Sequence, residues 1–259
     1  MIAVGTSGFR YADWRGTFYP QDTSDEEMLS FYAKHFNVVE LNFTYYAIPN
    51  PRVIDRMVAR TPEGFTFWVK ANEATTHQQD RSVAKSFNEA IAPAREAGRL
   101  AGILFQFPYS FRNVERSRGY VATLHEDFPH DPLVVEFRNA EWAREPVFQF
   151  LRQQRLGFCC VDEPDLKGLM PRLAIATSPI AYVRFHSRDA SKWYEGGGKE
   201  RYNYLYKPEE LAEWVPKTQS LASEAEKVYI FFNNCHAGSA AINAQEFKKL
   251  LAELGLITP

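Results

Sequence analysis

Residues 133–138, LVVEFR, and residues 181–186, AYVRFH, share one pattern. In both, every second position is apolar: Leu133, Val135 and Phe137 in the first, Ala181, Val183 and Phe185 in the second. The positions between them, Val134, Glu136 and Arg138, and Tyr182, Arg184 and His186, turn polar toward the C-terminal end. Successive side chains of a strand point to opposite faces. Each segment therefore reads as a strand with one face for covering helices and another that ends in charge.

Working outward, six more strand patterns appear at 2–7, 38–42, 65–70, 100–107, 157–162 and 228–233. Helical patterns lie between them at 25–36, 51–60, 80–98, 114–127, 141–154, 208–226 and 240–254. The weakest helical pattern is 163–177. Eight strands alternating with helices predict a parallel sheet with right-handed crossovers. Even spacing, and the absence of a GxGxxG after the first strand, favour a closed barrel over an open doubly wound sheet. The expectation is an α/β chain folded as one (β/α)8 TIM barrel domain over residues 1–259, a length that suits that fold. Punctuation agrees: Thr23 or Ser24 can cap the first helix, Pro51 and Pro208 suit first turns, and Gly98 suits a C-terminal stop.

The same two-face division runs through the other strands. It places inward Ala3, Gly5 and Ser7; Val38, Glu40 and Asn42; Thr66, Trp68 and Lys70; Leu104 and Gln106; Phe158, Cys160 and Asp162; and Tyr229, Phe231 and Asn233. The polar members fall at the C-terminal strand ends, where barrel enzymes carry their active sites. The expected ring is Ser7, Glu40, Asn42, Lys70, Gln106, Glu136, Arg138, Asp162, Arg184, His186 and Asn233. Its formal charges balance. Partly buried charges are costly in a barrel that apolar layers would fill, so a functional site is preferred to a structural network.

Composition narrows the function classes. The 30 Lys and Arg against 32 Asp and Glu leave no basic excess, which disfavours a nucleic-acid partner. No apolar run reaches the ~18 residues of a membrane helix. The opening MIAVGTSGF lacks the marks of a signal peptide, so a cytoplasmic protein without membrane association is expected. Cys159, Cys160 and Cys235 are too few and too poorly spaced for a disulfide framework or structural zinc, and the first two read as core.

Seven ordered motifs span nearly the whole chain: GTSGFRYADWRGTFYP, VVELNFTYYAIP, FWVKANEATTH, ILFQFPYSF, VVEFRNAEW, YVRFHSRDASKWY and IFFNNCHAGSAAINA. Together they resemble the YecE-like family, domain of unknown function 72. The resemblance implies a TIM barrel and supplies no substrate. By motif position it implies roles for Glu40, Asn42, Tyr45, Lys70, His77, Gln106, Glu136, Arg138, Trp142, Arg184, His186, Asn233 and Asn234. Where the family usually reads Glu-Phe-Arg-His, this chain has Asn139, which can still donate a hydrogen bond or cap the next helix.

The chemistries separate as follows. Retaining glycosidases need two carboxyls about 5 Å apart, commonly closing the fourth and seventh strands; here those positions hold Gln106 and Arg184 or His186. A Schiff-base lysine needs a lowered pKa. Glu40 would oppose that at Lys70, which is therefore read as an electrostatic or substrate-binding group. Glu136, Asp162 and His186 form a conceivable metal triad resembling sugar isomerases and endonucleases of this fold, but Arg138 and Arg184 would repel a dication, so no metal or other cofactor is expected. What stands is acid–base chemistry on a small anionic or hydroxyl-rich ligand, such as one bearing a phosphate or carboxylate. In this reading Glu40, Lys70, Glu136 and His186 are catalytic, while Asn42, Tyr45, His77, Gln106, Arg138, Asp162, Arg184, Asn233 and Asn234 bind substrate. A ligand-binding scaffold without catalysis and a nucleic-acid-processing protein are the alternatives. Two loops suggest closure over a ligand: 187–207, with Gly196, Gly197 and Gly198 as a lid, and 233–239, leading into a helix N-terminus suited to phosphate.

Overall fold

The computed structural model describes residues 1–195 and 200–258. The glycine triplet of the expected lid lies outside the described residues. Eight parallel strands run β1 (Ile2–Thr6), β2 (Val38–Leu41), β3 (Thr66–Lys70), β4 (Leu100–Gln106), β5 (Leu133–Glu136), β6 (Gly157–Asp162), β7 (Ile180–Phe185) and β8 (Lys227–Phe232). From β2 to β8 each strand pairs with its sequence neighbour, and β8 pairs with β1. A single Ser7–Glu40 bridge links the ends of β1 and β2, with Gly8 N donating to Glu40 O at 2.7 Å. The sheet is a nearly closed TIM barrel.

Outside it lie α1 (Met28–Tyr32), α2 (Phe43–Tyr46), α3 (Pro51–Ala59), α4 (Glu73–Thr76), α5 (Ala84–Glu96), α6 (Glu115–Ala122), α7 (Leu124–Asp127), α8 (Glu145–Gln153), α9 (Lys192–Glu195), α10 (Pro208–Ala212), α11 (Trp214–Glu224) and α12 (Ser239–Glu253). Pro51 and Pro208 open α3 and α10 as expected. Gly98, at φ 68°, follows the end of α5 in the left-handed region that a Cβ disfavours. The first helix starts later than expected, and Ser24 donates its hydroxyl to Glu27 Oε2 at 2.6 Å instead of capping.

No helix forms between β6 and β7. Residues 163–179 run as irregular chain, with prolines at 164, 171 and 179. Thr177 Oγ1 ties this segment to β6 by accepting from Phe158 N at 2.8 Å and donating to Leu156 O at 2.6 Å. Proline removes a backbone donor and disfavours helical geometry before it, so this crossover is packed as an extended strap.

The barrel's lower interior is aromatic. Trp68 lies edge-on to Tyr182 and Tyr229, with ring centroids 4.7 and 5.3 Å apart, and Phe231 stands 5.1 Å from Tyr182. Gly102 makes the indole fit, since a Cβ there would come within 2.5 Å of Trp68. This layer is a plug, and it supports the polar groups above it. Among the described residues no helix is long and apolar enough to cross a membrane.

Candidate active site at the barrel mouth

Above the aromatic plug sits a sealed charged tier. Arg184, from β7, is 1% exposed and spans two carboxylates: Nη1 donates to Glu136 Oε2 at 2.6 Å and Nη2 to Glu40 Oε1 at 2.7 Å. Tyr182 donates its hydroxyl to the other Glu40 oxygen at 2.7 Å. Glu136 Oε1 meets Arg138 Nε at 2.9 Å and His186 Nε2 at 3.2 Å. Burial alone would raise the Glu136 carboxyl, but Arg138, Arg184 and His186 outweigh it and hold its pKa well below the ordinary value. His186 is buried, with Asn233 Nδ2 3.0 Å from its Nδ1. A neutral ring protonated on Nε2 satisfies both contacts. Burial first, then Arg138, lower its pKa to about 3.

This tier brings together Glu40, Glu136, Arg184 and His186 as the strand faces predict, but it leaves them little to offer a ligand. Both carboxylates are fully engaged. Arg184, expected to grip substrate, lies below the mouth with both Nη atoms spent and a buried Nε without a partner. Its geometry suits holding the tier together.

The less deeply buried groups form the upper layer. Lys70 Nζ lies 2.9 Å from Gln106 Oε1 and 4.1 Å from the centroid of the Tyr45 ring. Among the described residues no carboxylate stands within ion-pair distance of Lys70. Burial, then Arg184, lower its pKa to about 7 against the opposing pull of Glu136 and Glu40. Tyr45 Oη is 3.2 Å from His77 Nε2, and Thr76 Oγ1 is 3.0 Å from His77 Nδ1. Arg138 commits Nε to Glu136 and Nη1 to Glu163 at 3.0 Å; among the described residues nothing accepts from its Nη2. Asn42 and Asn233 open from the mouth onto a cleft of about 1290 Å³ beside β1 and β2, whose wall includes Phe9, Tyr11, Tyr46 and Tyr202.

Two expected site residues face the other way. Asp162 is the first: it points at the helices, accepting from Trp214 Nε1 at 2.6 Å, Tyr206 Oη at 2.9 Å and Arg188 Nη2 at 2.7 Å. Phe158 packs on Phe148 of α8, so the inward set of β6 is Cys159 and Val161, opposite to expectation. With Asp162 outside, the Glu136–Asp162–His186 triad does not assemble. Among the described residues no group of three His, Cys, Asp or Glu side chains is placed to hold a metal. The second is Asn234, which turns to α12, donating to Asn243 Oδ1 at 2.9 Å and Tyr204 O at 2.8 Å. Replacing Asp162 with alanine is expected to cost about 3 kcal/mol in urea unfolding, as befits a broken buried pair whose arginine keeps Glu213, while ligand affinity at the mouth stays unchanged.

The acidic place expected for Asp162 is taken by Glu163, which the strand pattern missed. It holds Arg138 and accepts from Met170 N at 2.9 Å, and burial raises its pKa to about 7. Its adjacency to Asp162 just past a strand end was the available signal. Asn139 caps as expected, accepting from Glu141 N at 3.0 Å. The expected phosphate position before α12 is met by a carboxylate: Ala237 N donates to Asp13 Oδ2 at 2.8 Å. Trp14 and Tyr19, in the loop after β1, are buried packing residues, and all three cysteines are free.

A family model described as "Protein of unknown function DUF72" matches residues 3–257. The chain belongs to the DUF72 family. The UPF0759 protein YunF of Bacillus subtilis is 31% identical over 97% of this chain and 95% of its own length. UPF0759 protein YecE of Escherichia coli K12 is 44% identical over a shorter stretch, 30% of this chain and 26% of that protein. A DUF72 family protein from Thermotoga maritima has a solved structure that superposes with a TM-score of 0.91, at 41% identity, covering 97% of this chain and 99% of that one. A xylose isomerase domain-containing protein from Salmonella typhimurium gives a TM-score of 0.52 at 14% identity over 89% and 93%, a likeness of fold alone.

Proposed function

We propose that this DUF72 chain is an enzyme acting on a small anionic or hydroxyl-rich metabolite at the C-terminal mouth, with Lys70 as its proton-transferring group. One observation carries the reading: Lys70 is a largely buried cation at the mouth whose ammonium is held by a neutral amide rather than a carboxylate. General acid–base groups work best with a pKa near the working pH, and Lys70 is brought to about 7. Gln106, Asn42 and Asn233 offer amides for hydroxyls, and Arg138 Nη2 offers a donor for an anion. Glu40, Glu136 and His186, in this reading, support Lys70 electrostatically instead of moving protons themselves.

The test pairs binding with stability. Calorimetric titration with inorganic phosphate and with malonate should detect binding that Arg138→Lys weakens at least ~10-fold, because a point charge replaces a planar fork. Lys70→Met should weaken the same binding and also stabilise the fold. The sign follows from linkage: the unfolded amine, at 10.5, binds more protons than the folded one at about 7, so the lysine destabilises the fold at neutral pH. Discounted for partial exposure, the gain should be about 1–2 kcal/mol. A protein that binds neither probe, or that loses stability in Lys70→Met, would not fit this function.

A further inference from the structure

We infer that Lys70 acts as a covalent amine, condensing with the carbonyl carbon of a small anionic aldehyde or ketone to form an imine at the barrel mouth. The inference rests on the proposed function, names the substrate class of that same site, and adds to the proton exchange of Lys70 a covalent bond made by the same nitrogen.

Three placements carry it. First, Lys70 Nζ touches an amide oxygen, Gln106 Oε1 at 2.9 Å, which can accept from a neutral amine as well as from an ammonium and, unlike a carboxylate, brings no formal charge to hold the proton. The arginines of the ring are handled differently, each paired to buried carboxylates. Second, the amine lies over the Tyr45 ring at 4.1 Å, beside a Tyr45–His77–Thr76 chain of hydrogen bonds at 3.2 and 3.0 Å. Third, Arg138 Nη2 leaves a donor for the carboxylate or phosphate of the same molecule. Burial supports the placements: it brings Lys70 to about 7, so a large share is neutral and nucleophilic at neutral pH, and it raises Tyr45 to about 12, keeping the phenol a proton donor.

The steps balance. The neutral Nζ lone pair forms a C–N bond as the carbonyl π pair moves to oxygen, which takes a proton from the Tyr45 hydroxyl. The nitrogen, now cationic, returns a proton to the phenolate, giving a neutral carbinolamine. Its hydroxyl takes the next proton from Tyr45, the C–O bond breaks, and water leaves. Loss of the remaining N–H proton to the phenolate would yield the neutral imine; retention leaves the iminium. No oxidant or reductant is required. His77 positions the Tyr45 hydroxyl and does not touch the substrate.

The experiment is reductive trapping. The full chain is treated at pH 7 with formaldehyde, pyruvate or dihydroxyacetone phosphate in the presence of cyanoborohydride, and labelled lysines are mapped by peptide mass spectrometry. Lys70 should label at least ~10-fold faster than the average exposed lysine with each probe, with a rate that rises through pH 7 where exposed lysines rise near 10. Arg138→Lys should slow the two anionic probes and spare formaldehyde. Tyr45→Phe should slow labelling of Lys70 without moving its pH midpoint, whereas a merely structural tyrosine would move the midpoint or neither. Labelling of Lys70 no faster than exposed lysines with all three probes would overturn the imine. If phosphate and malonate still bind in that case, the proposed function survives it; if they do not, both fall.

Discussion

Glu136→Ala is expected to be among the most damaging single substitutions in the barrel, at a cost of roughly 3–5 kcal/mol in urea unfolding. Glu136 is fully buried and, among the described residues, is the one carboxylate in contact with Arg138, Arg184 and His186 together. Removing it leaves Arg184 with Glu40 alone and Arg138 with Glu163 alone, in a place where water does not reach. With ordinary net stabilities of about 5–15 kcal/mol, that loss is a fifth of the total at the least and the whole of it at the most. Pairing the change with Arg184→Met should recover part of it, since an apolar replacement for a buried ion pair removes the stranded charge. A loss under about 1 kcal/mol for Glu136→Ala would mean that the tier is hydrated and that its charges are not holding one another.

The fold was legible because six strands carry polar residues on one face only, at the C-terminal end. In LVVEFR and AYVRFH the period of two is unambiguous, and the Trp68, Tyr182 and Tyr229 plug confirms the inner face they imply. The sixth strand, GFCCVD, was misread for a physical reason. Phe158, Cys159, Cys160 and Val161 are all apolar, so the strand has no periodicity of its own, and its one polar residue was assigned by analogy with the others. Asp162 is satisfied from outside by Trp214, Tyr206 and Arg188, partners that lie 26 to 52 residues away and leave no local mark. The Asn233–Asn234 pair poses the same problem on a smaller scale, since adjacent identical residues must face opposite ways and composition does not say which is inside. Which ring members are sealed and which keep some exposure was equally invisible, because that depends on Arg184 reaching across the barrel to two strands. Lys70 shows the consequence. Glu40 was expected to hold it charged, but Arg184 and Tyr182 take both Glu40 oxygens.

Acid should expose the last feature of the tier, and the sign depends on two groups that oppose each other. His186 has a folded pKa of about 3 against 6.5 unfolded, so the unfolded chain binds the extra proton between those values and stability from this group falls as pH drops below 6.5. Glu163 runs the other way. Its folded pKa of about 7 exceeds the ordinary 4.5, so the folded chain binds the extra proton between pH 7 and 4.5, and acidification relieves the cost of its buried charge. From pH 6.5 to 4.5 the two contributions nearly cancel, one proton against one. Below 4.5 the cancellation ends, and the lowered pKa of Glu136 joins His186 in making acid destabilising. Glu163→Gln removes one side of the balance. Relative to wild type, that variant should lose about 2–3 kcal/mol between pH 6.5 and 4.5, the worth of one proton over two pH units. His186→Gln should gain a similar amount over the same range. Urea midpoints at four pH values measure both, and the surface carboxylates common to all three proteins drop out of the differences. Parallel pH profiles for wild type and Glu163→Gln would show that Arg138 keeps Glu163 ionised when buried, and would place the proton elsewhere in the tier.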